Sequence, residues 1–108
     1  MIFNVAIKQN SWIAKLATKK MNATAVALVI GKTIHIYGVS KTNFKADSHW
    51  VRHELQHIIQ YKKHGIVVFL WLYFYYCFKV GYYNNPFEID ARAHENDIAL
   101  NNNITWIN

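Results

Sequence analysis

Apolar and polar residues alternate loosely over residues 2–8, where Ile2, Phe3, Val5 and Ile7 are interrupted by Asn4 and Lys8, and this period of two predicts a short strand. Ser11 follows in a position to cap a helix. Trp12, Ile13, Leu16 and Ala17 then recur at helical spacing up to about Met21, with Lys15, Lys19 and Lys20 off the stripe, so a short amphipathic helix packed on a sheet is expected. Residues 23–40 return to a β pattern. Residues 24–30 are apolar on both faces, residues 33–39 alternate, and Gly31-Lys32 between them favours a two-residue type II′ turn. The first strand of this hairpin should be central or covered. The second, with Ile34 and Ile36 on one face and His35 and Tyr37 on the other, should have one side nearer water.

Residues 41–47 read as a polar connection, at whose end Asp47 or Ser48 can cap the next helix. That helix runs to about His64, with Gly65 as its stop. Trp50, Val51, Leu55, Ile58 and Ile59 supply its core-facing side, and His53 and His57 lie on a neighbouring face where a cleft can open. Residues 66–78 are an uninterrupted apolar run rich in aromatics, ended by Lys79 and Gly81. A membrane-spanning helix needs roughly 20 such residues, so the run predicts a buried helix, with interfacial or membrane contact as the lesser reading. Asn84-Asn85-Pro86 signals a turn and a helix start. The helix expected over residues 87–100 mixes Phe87, Ala91, Ala93, Ile98 and Leu100 with Glu88, Asp90, Arg92, His94, Glu95 and Asp97, and its acidic start suits the helix dipole. Ile104, Trp106 and Ile107 pin the polar tail, residues 101–108, as a short strand.

The fold class is therefore α+β, and 108 residues suit one domain, residues 1–108, around one core. The formal charge of +6 admits nucleic acid, an anionic membrane surface or an acidic substrate as partners. No basic run tracks an extended groove, so nucleic acid is not expected, and the charge reads as a solvated basic face. Cys77 is the single cysteine and has apolar neighbours, which points to a buried thiol in a reducing compartment. The beginning of the chain has no basic region ahead of an apolar one, so no secretory signal is expected. A cytoplasmic location follows, with a position at the membrane periphery as its variant.

The chemistry centres on His53-Glu54-Leu55-Gln56-His57. Residues four apart share one helix face, so His53 and His57 can grip one metal ion while Glu54 reaches a water as general base. A catalytic zinc needs a third protein ligand. Glu88, on a separate helix that can return antiparallel, is the best candidate, and Asp90, His94 and Glu95 compete with it. His49 extends the ladder but lies about 12 Å from His57 along the axis, too far to share an ion. His35 and His64 are expected at the surface.

Residues 50–60, together with Asn84-Asn85-Pro86-Phe87-Glu88-Ile89-Asp90-Ala91, resemble the signature of small bacterial zincin-like metallopeptidase domains. They are also similar to the gluzincins, including Ste24-like peptidases, in which a second helix supplies a glutamate ligand. Residues 26–34 resemble the β segment preceding the active-site helix in such domains, and the likeness spans roughly residues 23–95. It implies a zincin-like fold, a small β-sheet hairpin packed on the active-site helix and two further helices. It makes His53, His57 and Glu88 ligands of one Zn2+ and Glu54 the general base. The activity implied is hydrolysis of a peptide or protein substrate by a zinc-activated water. Those families commonly place an aspartate four residues after the ligand glutamate, where it orients the first histidine; Arg92 stands there in this chain, so Asp90 or Glu95 must take that role. Tyr82, Tyr83, His94 and Arg92 are the candidates to stabilise the oxyanion. The second strand of the hairpin is a candidate to pair with an extended peptide. The alternative is a zinc-binding interaction module of weak or no activity, membrane-associated through residues 66–83.

Overall fold

β1 (Phe3–Lys8), β2 (Val26–Ile30), β3 (Thr33–Tyr37) and β4 (Ile104–Trp106) form one mixed sheet in the computed structural model, which describes residues 3–107. Ile2 of the predicted alternation and Asn108 of the tail lie outside the described residues. The strand order is β2-β3-β1-β4. β1 runs parallel to β3, with Ile7 opposite Ile34, and parallel to β4, with Val5 opposite Trp106. β2 and β3 are the expected hairpin: Ile30 pairs with Thr33, leaving Gly31 and Lys32 as the loop. Gly31 has φ +64° and Lys32 is not in the left-handed region, as a type II′ turn requires. Gly38, just after β3, has φ +81°, and any side chain there would run into the Thr24 carbonyl oxygen.

The sheet is thus larger than the hairpin. Because β1 takes the far side of β3, β2 is left at the edge rather than at the centre, and it is only half covered. β3 is interior, so it cannot accept an extended peptide; that free edge belongs to β2. The alternation of β3 holds, with Ile34 and Ile36 fully buried and His35 and Tyr37 half-buried.

α1 (Trp12–Met21) is capped by Ser11 as expected, and Asn22 closes it in the left-handed region at φ +53°. Its buried face is not the expected stripe. Ala14 and Thr18 face the protein, while Trp12 is 66% and Leu16 56% exposed. Small residues let the helix lie close to the sheet, and the Thr18 hydroxyl meets its own need by donating to the Lys15 carbonyl at 2.6 Å. The polar connection also contains a helix, α2 (Lys41–Ala46). Ser40 caps it by accepting the Asn43 N–H at 3.1 Å, and it buries Phe44 edge-on to Trp50, with ring centroids 5.2 Å apart.

α3 (Ser48–His64) begins at Asp47, which accepts the Trp50 N–H at 3.2 Å, and ends at Gly65, as the sequence predicts. Val51, Leu55 and Ile58 pack into the core with Val5, Ile7, Ile34 and Ile36. The buried Tyr61 hydroxyl donates to the Val29 carbonyl at 2.8 Å, tying α3 to β2, and burial pushes its pKa up to about 12.

Two expectations fail after Gly65. α4 (Ile66–Val80) is not a buried helix: Phe69 alone is buried along it, and Phe78 is 95% exposed. An all-round apolar helix predicts burial, but α4 lies against one side of α3 with nothing among the described residues over its other face. No helix among the described residues is long and apolar enough to cross a membrane. α5 (Pro86–Ala93) starts where expected but stops at Ala93, and a 3-10 helix (Ile98–Asn103) follows. Asp97 accepts the Ala99 N–H at 3.2 Å, which satisfies the backbone in a new start rather than a continued helix. β4 closes the sheet, as the tail pattern predicts.

Candidate metal centre

His53 and His57 lie one turn apart on α3, and their imidazole centroids are 5.1 Å apart. α5 brings Glu88 between them. Its carboxylate is 3.0 Å from His53 Nε2 and 3.2 Å from His57 Nε2. The ligand atoms of His53, His57 and Glu88 all lie within 4.8 Å of one another, the only such trio among the described residues. The three residues expected as ligands are thus brought together in a group that could hold a metal ion. His57 and Glu88 are buried and His53 is half-buried.

α5 is placed by Asn85, which is fully buried. Its Oδ1 accepts the Phe87 N–H at 3.0 Å as the helix cap, and its Nδ2 donates to the Tyr73 carbonyl at 3.0 Å and to Cys77 Sγ at 3.2 Å. Glu88 follows in the first turn, where the helix dipole favours a carboxylate. The Tyr73 hydroxyl donates to its Oε2 at 2.5 Å.

Each histidine is oriented through Nδ1. His53 Nδ1 donates to Glu95 Oε2 at 2.8 Å, and His57 Nδ1 donates to Gln60 Oε1 at 2.8 Å. Gln60 is fixed in turn because its Nε2 donates to the Phe87 carbonyl at 3.0 Å and to Asp90 Oδ2 at 2.9 Å. Gln56 donates to that same Asp90 oxygen at 2.7 Å. Both imidazoles thus offer Nε2 toward Glu88. Glu95 itself is anchored by Arg52, whose Nε donates to its carbonyl at 2.6 Å while Nη1 donates to Asn101 at 3.2 Å.

The remaining candidates separate cleanly. Glu95 is the carboxylate bonded to His53 Nδ1, and Asp90 is bonded to Gln60, which meets His57. Arg92 turns away: its guanidinium lies 4.0 Å from the centroid of the Tyr83 ring and donates to the Tyr83 carbonyl. Tyr83 is 70% exposed and held in that contact, not in the site. His94 binds the Asp90 carbonyl through Nδ1 at 2.8 Å. Tyr82 lines the cleft beside Glu54. His49 is exposed at the cleft rim. His35 and His64 are half-buried rather than surface residues, the first bonded to Ser11 at 2.8 Å and the second edge-on to Phe87. The sequence pattern gives no site role to Gln60, Tyr73 or Arg52, and marks Asn85 only as part of a turn and helix start. Only Gln60 carried a positional signal, three residues after His57 on the same helix face.

Glu54 is buried, and burial pushes its carboxyl up to about 7 against the lowering charges of His57 and His53. Burial pulls His53 down, but its bond to Glu88, the charge of Glu54 and its bond to Glu95 outweigh that and hold it at about 9. His57 is raised by the same balance. Burial would raise Glu88, yet the bonds from both histidines bring it well below the usual carboxylate range. A group of two imidazole nitrogens and an ionised carboxylate, oriented from behind and facing a cleft, is a donor set that suits Zn2+.

The cleft has two lobes that meet at His53, Glu54 and Tyr82. One, about 390 Å³, is rimmed by Asp47, His49, Trp50 and Glu95. The other, about 360 Å³, is apolar, with the β2 strand as one wall and α1 and α4 contributing Ile13, Ala17, Phe69, Leu70 and Phe74.

No curated protein and no solved structure matches the chain. The family model of the eCIS core domain (extracellular contractile injection system) matches residues 4–65. That stretch runs from β1 through α3 and includes His53, Glu54 and His57, whereas Glu88 and Glu95 lie beyond it. The description names no peptidase. With 62 of its 108 residues inside the match, the chain belongs to the eCIS core domain family.

Proposed function

We propose that the chain is a zinc-dependent peptidase built on a zincin-like arrangement of sheet and active-site helix. The observation that carries this reading is the placement of Glu54. It is a buried carboxyl one residue on from His53, at the junction of the two cleft lobes. A buried carboxyl beside a trio of candidate ligands, at the wall of a cleft, is placed as a general base needs to be. His53 and His57 would hold the ion through Nε2, with Glu88 as the third ligand. A divalent ion so held lowers the pKa of water and polarises a carbonyl.

The chain's own groups then divide the work. Glu54 takes a proton from the attacking water and delivers it to the leaving amine. Glu95 and Gln60 keep the imidazoles in one tautomer, and Tyr73 keeps Glu88 from swinging away. Tyr82, whose hydroxyl is held protonated by burial and by the charges of Glu88 and Glu54, is the donor we assign to the oxyanion. The free edge of β2 walls the cleft, so an extended peptide can add to the sheet with its scissile bond near Glu54. The name of the family, extracellular contractile injection system core domain, supports a substrate that is a protein of such a system.

The test is Glu54→Gln, with zinc content and cleavage of an unfolded protein measured together. Zinc should stay at one ion per chain while turnover falls by a factor on the order of 10² to 10⁴. Undiminished cleavage with zinc retained would overturn the assignment.

A further inference from the structure

Most of the large exposed apolar side chains lie on α1 and α4, with Ile89, Ile98 and Ile107 as isolated exceptions. Val67, Trp71, Phe74 and Phe78 form one stripe along α4 at spacings of four, three and four, and they are 80%, 68%, 65% and 95% exposed. The opposite side of α4, with Phe69 and Tyr73, faces α3 and the metal centre. Across the apolar cleft lobe, α1 contributes Ile13, Ala17 and Met21 to the opposite wall and leaves Trp12 and Leu16 exposed one step round. The two helices are thus lips of one groove, each with large apolar side chains turned outward. An apolar patch of this kind on a free surface marks a contact.

The charges around it select the occupant. Residues 1–46, which include α1, hold seven lysines and neither aspartate nor glutamate, and residues 55–87, which include α4, hold three lysines and again no acid. Lys15, Lys19 and Lys20 are exposed on α1, Lys63 precedes α4, Lys79 lies within its last turn, and Lys32 stands at the hairpin turn whose Gly31 lies against Ile66. Three of the six acidic residues, Glu54, Glu88 and Glu95, are instead in the metal centre. A second copy would bring its own net charge of +6 to the contact. An anionic bilayer surface offers the complement to both features. Tyr75 and Tyr83, both exposed, are of the amphipathic type that settles at headgroup level. At 15 residues α4 is about 22 Å long, short of the roughly 30 Å needed to span and suited to lying in the interface plane.

We propose that the α1 and α4 lips seat the protein on an anionic lipid surface, α4 lying in the interface with its Val67, Trp71, Phe74 and Phe78 stripe toward the acyl chains. This does not depend on hydrolysis. Flotation with vesicles tests it, because aggregated protein does not float. The chain should float with phosphatidylcholine vesicles containing phosphatidylglycerol and far less with phosphatidylcholine alone, and more salt should release it. Trp71→Ser and Phe78→Ser should each lower partitioning by at least about tenfold, and Lys19→Glu with Lys20→Glu should abolish the preference for anionic lipid. Failure to float with anionic vesicles overturns the proposal. So does self-association, measured by sedimentation velocity, that Trp71→Ser and Phe78→Ser abolish while flotation is unchanged, since the stripe would then be a contact between copies.

Discussion

The position four residues after Glu88 holds an arginine, and the site does not suffer for it. Arg92 is spent on the Tyr83 ring and carbonyl, while Glu95, seven residues after the ligand, curls back to meet His53 Nδ1. α5 ends at Ala93, so Glu95 makes this bond from the turn beyond the helix. Gln60 performs the same service for His57 from within α3. Groups that fix a ligand's tautomer contribute to affinity without touching the ion, and their loss costs about 10 to 100-fold. Glu95→Ala and Gln60→Ala should each weaken zinc binding by that factor in competition with a chromophoric chelator. Arg92→Ala should leave the affinity where it was. Equal losses for Arg92→Ala and Glu95→Ala would show that α5 as a whole, and not the Glu95 carboxylate, holds His53 in place.

At the scale of elements, α3 carries two of the candidate ligands and α5 brings the third, on eight residues hung from Asn85. Asn85→Ala removes the helix cap and two further side-chain bonds in a fully buried place, which should cost about 2 to 3 kcal/mol in urea unfolding and lower zinc affinity along with it. The start of α5 was legible because Asn85-Pro86 carries its own cap and its own fixed φ. α3 was legible for the same reason, from the Asp47 cap to Gly65, and with it the spacing of His53 and His57. What local pattern does not carry is which neighbour an element meets. The strand over residues 26–30 reads as central by composition, but β1 docks on the other side of β3 and leaves it at the edge. The α1 stripe obeys the helical period, yet the close approach to the sheet selects Ala14 and Thr18. α4 reads as buried because a free apolar helix is costly in water, a cost the described residues leave unmet. The end of α5 was missed because residues 94–97 keep helical composition while Asp97 caps a separate turn.

For the whole molecule, the ion should act as a clasp between α3 and α5. Zinc at a hundred times its dissociation constant adds about 2.7 kcal/mol, which for a chain of this size raises the melting temperature by roughly 10 to 20 °C over the chelated form. His53→Ala should remove that gain, and a full gain in His53→Ala would place the ion elsewhere. Without the ion, two groups give stability opposite slopes on the acid side. Ser11 Oγ lies 2.8 Å from His35 Nδ1, and burial with the nearby Lys8 charge lowers the His35 pKa below 6.5. The unfolded chain therefore takes up a proton there first, so the His35 contribution is present above pH 6.5 and is lost as pH falls through its folded value. Glu54 is the reverse case. Its folded pKa of about 7 lies above the ordinary 4.5, so the folded chain binds the proton first and gains stability as pH falls from 7 toward 4.5. His53 is raised to about 9, so its contribution is already complete below pH 6.5 and adds no slope there. Glu88 and Asp90 are lowered and matter only below their ordinary values of 4.5 and 3.8. Between pH 6.5 and 5, then, urea unfolding in chelator should show Glu54→Gln losing stability with acid and His35→Gln gaining it. The same slope in both variants would mean that neither side chain sets the acid response.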